Sequence, residues 1–248
     1  EGVLGEFGGT GGGLRWGNGT YAILIPLMSW GIGPGDAVFV PAFPFASTAE
    51  VVVLGGASPV FVDIDPDTYN MCSDSLAAAI ASVTEAGELT PKAVIAVDLF
   101  GQPANYPALA PIAREAGLKL ISDCAQAYGS TLDGQASLAW ADVLTVSFYP
   151  AKPLGGYGDG GAVLCKDEVL YRTMKSVRVH GEGTARYEYA RIGLNSRLDT
   201  LQAAILLAQL SVFGDEIQMR QRVADRYRAG FGNAVKVPHV IDGAQSTW

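Results

Sequence analysis

Short apolar segments alternate with helical patterns along most of the chain. Six segments are almost continuously apolar and are predicted to be buried strands: 37–41, 59–64, 92–99, 118–123, 143–148 and 161–165. Strands that are apolar on both faces are typical of a parallel sheet covered on both sides. Helices are predicted over 20–30, 47–54, 73–82, 104–116, 166–179, 196–213 and 215–231. This alternation predicts an α/β fold with a largely parallel sheet.

Two segments outside this alternation have their own patterns. The first sixteen residues are rich in glycine and predict no helix or strand. In the predicted helix 196–213, the apolar residues fall on one face, which we expect to pack on the core. They are Leu198, Leu201, Ala204, Ile205 and Ala208.

The composition narrows the class of protein. Hydrophobic residues make up 49% of the 248 residues and charged residues 17%, which predicts a sizeable core. A net charge of −8 argues against non-specific binding to nucleic acid or to an anionic membrane. Three widely spaced cysteines and two histidines argue against a disulfide framework and a zinc site. We therefore expect a protein of the reducing cytoplasm, with no metal.

A glycine cluster after the strand 143–148 matches the dinucleotide-binding pattern G-x-G-x-x-G over residues 156–161. That pattern requires a strand before the glycines and a helix that begins on them. Here the glycines are followed by the apolar segment 161–165, another predicted strand. We therefore expect no dinucleotide site, and expect the glycines to let the backbone turn close to bulky neighbours.

Three reactive side chains are predicted at the carboxyl ends of the strands, where open α/β sheets bind ligands. Asp123 ends one strand, Ser147 closes another, and Lys152 follows five residues later. A lysine amine, a carboxylate and a phosphate-binding hydroxyl are what pyridoxal 5′-phosphate requires. Taken singly, an aspartate at a strand end is commonly a helix cap, a magnesium ligand or a phosphoryl nucleophile, and a lysine in a loop is usually solvated.

Six sequence blocks, taken in order, resemble a known family. They are GNGT (17–20), PAFPFAST (41–48), DLFGQPAN (98–105), SDCAQAYGS (122–130), SFYPAKPLGGYGDGGA (147–162) and RIGLNSRLDTLQAAIL (191–206). Together they resemble the DegT/DnrJ/StrS family of nucleotide-sugar aminotransferases over nearly the whole chain. The resemblance implies an aspartate-aminotransferase-like fold (fold type I) and pyridoxal 5′-phosphate as the cofactor.

The resemblance also implies roles for individual residues. Lys152 matches the lysine that bonds covalently to the cofactor and moves protons, and Asp123 matches the carboxylate that pairs with the pyridine nitrogen. Phe45 matches the aromatic residue that stacks on the ring, with a core residue as the alternative. The remaining matches are Gln126 for the 3′-oxygen, Gly19, Thr20 and Ser147 for the phosphate, and Asn195 for the phosphate of a partner subunit. For Gln126 and Asn195, a helix cap is the alternative.

The family organisation implies two domains and a homodimer with shared active sites. Residues 1–230 correspond to the large cofactor-binding domain, and residues 231–248 to the start of a C-terminal small domain. Most of that small domain is missing from the sequence, so we expect the chain to be a fragment or an incomplete record of a longer protein.

The implied function is transfer of an amino group from L-glutamate to a keto group of a nucleotide-linked sugar. The lysine block and the last block look closest to enzymes that act on UDP-linked 3-keto sugars, including 3-keto-uronates. Two alternatives stay open: a sugar dehydratase of the same fold, in which a histidine replaces the lysine, and a binding or regulatory homologue without catalysis. The presence of Lys152 argues against the first.

Overall fold

A seven-stranded sheet forms the centre of the structure, a computed structural model that describes residues 1–7, 13–185 and 187–248. Its strands are β1 (Gly13–Trp16), β2 (Asp36–Pro41), β3 (Ser58–Val62), β4 (Thr90–Val97), β5 (Lys119–Asp123), β7 (Val143–Ser147) and β8 (Gly161–Cys165). Two short strands, β6 (Thr131–Leu132) and β9 (Ala244–Gln245), pair separately. In the large sheet the order is β1-β8-β7-β5-β4-β2-β3, and β8 runs in the direction opposite to the other six strands. The predicted largely parallel α/β sheet is therefore confirmed.

Helices cover both faces of this sheet. They are α1 (Gly2–Phe7), α2 (Gly19–Ser29), α3 (Ser47–Leu54), α4 (Ser73–Ala86), α5 (Tyr106–Glu115), α6 (Glu168–Val177), α7 (Thr200–Leu210) and α8 (Phe213–Phe231). In β4, Val94 packs in the cluster that contains α4 and α5, whereas Ile95 packs in the cluster that contains α2 and α3. Because successive residues of a strand point to opposite faces, both faces of β4 must be apolar.

The N-terminal prediction was wrong. The first sixteen residues, for which no element was predicted, contain α1 and β1. β1 pairs antiparallel with β8, and Trp16 is fully buried. The pairing partner lies almost 150 residues away in sequence, so no local pattern in this glycine-rich segment could have indicated the strand.

The predicted face of the helix near residue 200 was also wrong. The helix begins at Thr200, not at residue 196, and its buried residue is Leu206, with 3% of its surface exposed. Leu201, from the predicted apolar face, is 79% exposed. The sequence TLQAAILLAQL is apolar on nearly all sides, so its periodicity could not select the face that packs.

The C-terminal segment lies against the sheet domain. α8 ends at Phe231, and the chain then returns so that β9 pairs with β6 and Thr247 donates a hydrogen bond to the carbonyl of Gly101. Ser246 and Thr247 are buried there. The division of the chain at residue 231 into two domains stays a prediction.

Candidate active site

The carboxyl ends of two neighbouring parallel strands form one wall of a cavity of about 440 Å³. Asp123 ends β5, Ser147 ends β7, and Lys152 lies in the loop that leaves β7, as predicted. Seven of the eight predicted site residues line this cavity: Gly19, Thr20, Phe45, Asp123, Gln126, Ser147 and Lys152. The fold therefore brings together residues that are up to 133 positions apart in sequence (152 − 19).

The first turn of α2 forms the part of the cavity suited to an anion. Asn18 is the N-cap, and its Oδ1 accepts a hydrogen bond from the amide of Tyr21 at 2.8 Å. The amides of Gly19 and Thr20 donate to no group within the described part of the chain. Free amides and the helix dipole favour a negatively charged ligand at this position.

Gly19 allows this turn to approach β7 closely. A Cβ atom at residue 19 would lie 2.6 Å from Cβ of Ser147 and 2.8 Å from its Oγ, so any larger residue would push the helix away from the strand. The glycine thus brings the Ser147 hydroxyl beside the amides of the helix N-terminus. The three predicted phosphate-binding residues, Gly19, Thr20 and Ser147, therefore form one continuous surface.

Asp123 is a buried carboxylate that two donors hold in place. Its Oδ2 accepts a hydrogen bond from Thr48 Oγ1 at 3.3 Å, and its Oδ1 accepts one from the Ala125 amide at 3.1 Å. Burial raises the pKa of Asp123 from 3.8 to about 6, and the negative charge of Asp98 adds to this rise. The Ala125 amide, the charge of Lys152 and the Thr48 hydroxyl oppose it. The group is therefore poised to exchange a proton near neutral pH.

Lys152 and Phe45 face each other across the cavity. The Lys152 Nζ atom lies 6.0 Å from the centre of the Phe45 ring, within the range of a cation–π contact. Phe45 is 66% exposed, so the alternative that it is a core residue is wrong. An exposed ring at the edge of a cavity is available to stack on a flat ligand.

Gln126 and Asn195 occupy different surroundings. Gln126 lines the cavity, and its Oε1 accepts a hydrogen bond from the Phe100 amide at 3.1 Å, which is no helix cap. Asn195 is exposed, does not line the cavity, and accepts a hydrogen bond from Arg197 at 2.7 Å. It does not cap α7 either, because that N-cap is Asp199. Its assignment to a partner's site stays a prediction.

Several lining residues were missed by the sequence argument. They are Asn18, Ile23, Ser47, Val97, Ala125, Tyr149, Ala151 and Asp159. For Asn18 a signal was present, since an asparagine directly before an apolar helical segment is a typical N-cap. Thr48, which donates a hydrogen bond to Asp123, was missed as well. In its case no local signal was present, because the contact joins positions 75 residues apart.

The glycine cluster lacks the order of elements that a dinucleotide-binding loop requires. Residues 156–160 lead into β8, and no helix begins on them. Gly161 instead lets β8 pass close to the N-cap of α2, since a Cβ there would lie 2.5 Å from the carbonyl oxygen of Asn18. The turn and the close approach predicted for these glycines are therefore observed, whereas the expectation of no dinucleotide site stays a prediction.

A larger cavity of about 610 Å³ lies elsewhere, between α8 and the C-terminal segment. Its wall is mostly apolar and includes Met219, Val223, Tyr227, Phe231 and Trp248, with Arg220 and Arg228 as its charged members. None of the described residues that line it is a lysine, serine, cysteine, aspartate or glutamate, so the smaller cavity is the candidate for chemistry.

Two kinds of feature are absent from the residues that the structure describes. No group of three or more histidine, cysteine, aspartate or glutamate side chains is arranged to hold a metal ion there. Likewise, no helix in the described ranges has the length and apolar character needed to cross a bilayer.

Comparisons with known proteins agree with this geometry. The sequence profile of the DegT/DnrJ/EryC1/StrS aminotransferase family matches residues 1–248. The chain is 47% identical over 210 residues to the UDP-2-acetamido-2-deoxy-3-oxo-D-glucuronate aminotransferase of Pseudomonas aeruginosa, which is 85% of this chain and 56% of that protein. It is 40% identical over 235 residues to the pleiotropic regulatory protein of Geobacillus stearothermophilus, which is 93% of this chain and 61% of that protein.

A solved structure shows the same fold. The crystal structure of a DegT DnrJ EryC1 StrS aminotransferase from Brucella abortus matches with a TM-score of 0.97 and 51% identity, over 99% of this chain and 66% of that one. This likeness confirms the predicted aminotransferase fold. The chain spans less than two thirds of the length of each of these three proteins.

Burial of Asp123 should destabilise the cofactor-free chain at high pH. Because the folded-state pKa is raised from 3.8 to about 6, the neutral form is favoured on folding, and this contribution is lost as the pH rises through 6. At about 1.4 kcal/mol per pKa unit, Asp123→Asn should increase the free energy of unfolding at pH 8 by at most about 3 kcal/mol. Below pH 4 the difference between the two proteins should largely disappear.

Urea unfolding of both proteins at pH 4, 6 and 8 measures this effect. Asp242→Asn, which removes an exposed carboxylate, is the control for the loss of one charge. A variant at residue 123 that is less stable than the parent at pH 8 would show that Thr48 and Ala125 outweigh the effect of burial.

Proposed function

We propose a function from the fact that the chain belongs to the DegT/DnrJ/EryC1/StrS aminotransferase family. It transfers an amino group from L-glutamate to a keto group of a nucleotide-linked sugar. The observation that carries the proposal is that Lys152, Asp123 and Ser147 line one cavity together with the N-terminus of α2. A scaffold has no physical need for a lysine, a buried carboxylate and an anion site at the same place.

The cavity fits pyridoxal 5′-phosphate as the cofactor. The free amides of Gly19 and Thr20 and the Ser147 hydroxyl would bind the phosphate, and Phe45 would stack on the ring. The other proposed ligands are Lys152 for the aldehyde, Asp123 for the pyridine nitrogen, Gln126 for the 3′-oxygen and Asn195 of a partner subunit for the phosphate. When bound, this cofactor supplies an electron sink for the electrons released at the reacting carbon.

Two side chains would handle protons. Asp123 would hold a proton at the ring nitrogen, and its buried position keeps water from competing for that contact. The Nζ of Lys152 would remove and return the proton at the substrate carbon, as a general base and acid must. The loop that carries Lys152 is held by hydrogen bonds from the Lys152 amide to the Tyr149 carbonyl and from Gly156 to Phe148, which orients the amine.

For the substrate we propose a UDP-linked 3-keto sugar. The name of the relative from Pseudomonas aeruginosa describes an aminotransferase for a UDP-linked 3-oxo-glucuronate. The position of the keto group and the nucleotide are carried over from that similarity and from the lysine block, and no contact in the cavity selects them.

A homodimer with shared active sites is part of the proposal. Asn195 lies outside the cavity of its own chain and is exposed, so its side chain, which accepts a hydrogen bond from Arg197, is accessible to another subunit. Ile192 and Leu201, on either side of it in sequence, are 85% and 79% exposed, and such apolar side chains favour burial against a partner. No disulfide joins the three cysteines in the described part of the chain, which is consistent with the reducing cytoplasm, where we place the protein.

A regulatory role is the second candidate, because a relative at 40% identity is named a pleiotropic regulatory protein. The two candidates differ in what they require of the cavity. Binding alone would be satisfied by an anion site and an aromatic ring, whereas transfer also needs the lysine and the carboxylate, and both are present.

An assay of the full-length protein decides between them. With pyridoxal phosphate, L-glutamate and a panel of keto-sugar nucleotides, mass spectrometry should detect an amino-sugar nucleotide, with the greatest yield from a UDP-linked 3-keto sugar. Lys152→Ala should yield none, because it lacks the base at the reacting carbon. Tight cofactor binding without product from any sugar would favour the regulatory candidate.

Lys152 should carry the cofactor covalently. Borohydride reduction of the protein with pyridoxal phosphate should fix the cofactor on the peptide that contains Lys152, because this lysine alone among the lysines lines the cavity within the described part of the chain. Peptide mass spectrometry locates the label. Lys152→Arg should abolish it while it preserves the charge, and a label on Lys166 or Lys175 instead would contradict the assignment.

Asn195 should serve the partner's site. Asn195→Asp would place a carboxylate beside the proposed phosphate, and like charges in a partly buried site repel strongly. Homodimers of Asn195→Asp and of Lys152→Ala should both be nearly inactive. In a mixed dimer, the subunit that retains Lys152 receives a normal Asn195 from its partner, so one of the two sites is intact.

Refolding the two full-length variants together and assaying transamination tests this arrangement. About half of the parental activity per mixed dimer is expected, since one site of two is restored. If mixed dimers form and remain inactive, Asn195 acts within its own subunit. An Asn195→Asp homodimer with parental activity would show instead that Asn195 has no role in the site.

A further inference from the structure

A second buried carboxylate, Asp98, lies directly behind the candidate site. It follows β4 and has none of its surface exposed. Five groups donate hydrogen bonds to it: the Ala104 amide at 2.9 Å and Tyr106 Oη at 2.7 Å to Oδ1, and Ser122 Oγ at 3.2 Å, Cys124 Sγ at 3.0 Å and Ser137 Oγ at 2.9 Å to Oδ2. No role in the proposed reaction has been assigned to it.

The contacts of Asp98 enclose Asp123 on both sides along the chain. Ser122 precedes Asp123 and Cys124 follows it, and both bind the same oxygen of Asp98. Because side chains alternate along a strand, these two point away from the cavity when Asp123 points into it. The amide of Asp98 also donates to the carbonyl of Asp123 at 3.0 Å.

The Asp98 carboxylate is an unusual choice for this position if it only fills space. A buried charge is costly, and an apolar residue of similar volume often stabilises a protein equally well or better. Burial raises the pKa of Asp98, and the hydrogen bonds from Tyr106, Ala104, Cys124 and Ser137 oppose that rise. Such a group is retained where its hydrogen bonds fix a geometry that an apolar residue would leave loose.

We propose that Asp98 is a positioning residue of the active site: through Ser122 and Cys124 it fixes the carboxyl end of β5 so that Asp123 points into the cavity. The inference rests on the proposed role of Asp123 toward the cofactor. Asp98 also acts electrostatically, because its negative charge lies close enough to raise the pKa of Asp123. Lys152 is the charged group that opposes this effect, and Tyr106 and Cys124 are the titratable groups that contact Asp98 itself.

Two serines give a matched pair of variants. Ser122→Ala and Ser137→Ala each remove one hydroxyl, both side chains are buried, and both bind Oδ2 of Asp98. Only Ser122 is adjacent to Asp123. In the cofactor-free protein, Ser122→Ala should increase the hydrogen-exchange rates of the Cys124 and Ala125 amides roughly fivefold, the effect of one lost hydrogen bond. Ser137→Ala should change these rates less than about twofold, even where both variants lose similar global stability.

Cofactor affinity and the charge of Asp98 provide two further measurements. Titration with pyridoxal phosphate should show weaker binding for Ser122→Ala by roughly three- to tenfold, with Ser137→Ala close to the parent. Asp98→Asn removes the charge with little change of shape. In this variant, carbon-13 NMR should find the pKa of Asp123 below the parental value of about 6.

The possible outcomes separate this inference from the proposed function. If the parent binds no pyridoxal phosphate, the proposed cofactor is wrong, yet amide exchange and the titration of Asp123 still test Asp98. Equal effects of the two serine variants at Cys124 and Ala125 would overturn the positioning role. So would an unchanged Asp123 titration in Asp98→Asn, and if that variant does not fold, the serine pair alone decides.

Discussion

The parallel pairing of β5 with β7 is the constraint on which the candidate site depends. The register aligns Asp123 with Thr145, so that Ser147 and the loop to Lys152 begin one pleat beyond the carboxylate. Two parallel strands end at the same edge of a sheet, and α2 can then place its N-terminus on that edge because residue 19 is glycine. A lysine, a carboxylate and an anion site thus lie in one cavity, although each comes from a different segment of the chain.

The site opposes the stability of the fold that supports it. Asp98 and Asp123 are both buried, and the charge of Asp98 raises the cost of ionising Asp123, because like charges in a medium of low polarity repel. Hydrogen bonds offset part of this cost: two reach Asp123 and five reach Asp98. Such a pair is costly to a scaffold, whereas a catalytic site uses it to hold a proton near neutral pH.

What the sequence could predict follows from how local each signal is. Six of the strands and the ends of β5 and β7 were predictable, because an apolar run followed by Asp or Ser is contained within a few residues. The predicted burial was wrong for β3, which lies at the edge of the sheet and leaves Phe61 58% exposed. β1 was not predictable, since its partner β8 lies almost 150 residues later. Likewise α7 is apolar nearly all round, so only the surface it meets decides that Leu206 is buried and Leu201 exposed. The contact of Thr48 with Asp123 was unpredictable for the same reason, because the two residues are far apart in sequence.

The glycine cluster shows why a motif must be judged by the element that follows it. In a dinucleotide-binding loop, the glycines and the helix N-terminus that binds phosphate belong to one continuous segment. Here the helix N-terminus that is free to bind an anion belongs to α2, and the cluster starts 137 residues later (156 − 19). The cluster contributes by letting β8 pass close to Asn18, the N-cap of that helix. Glycines can therefore support an anion site from a distance by the space they leave, without contacting the anion themselves.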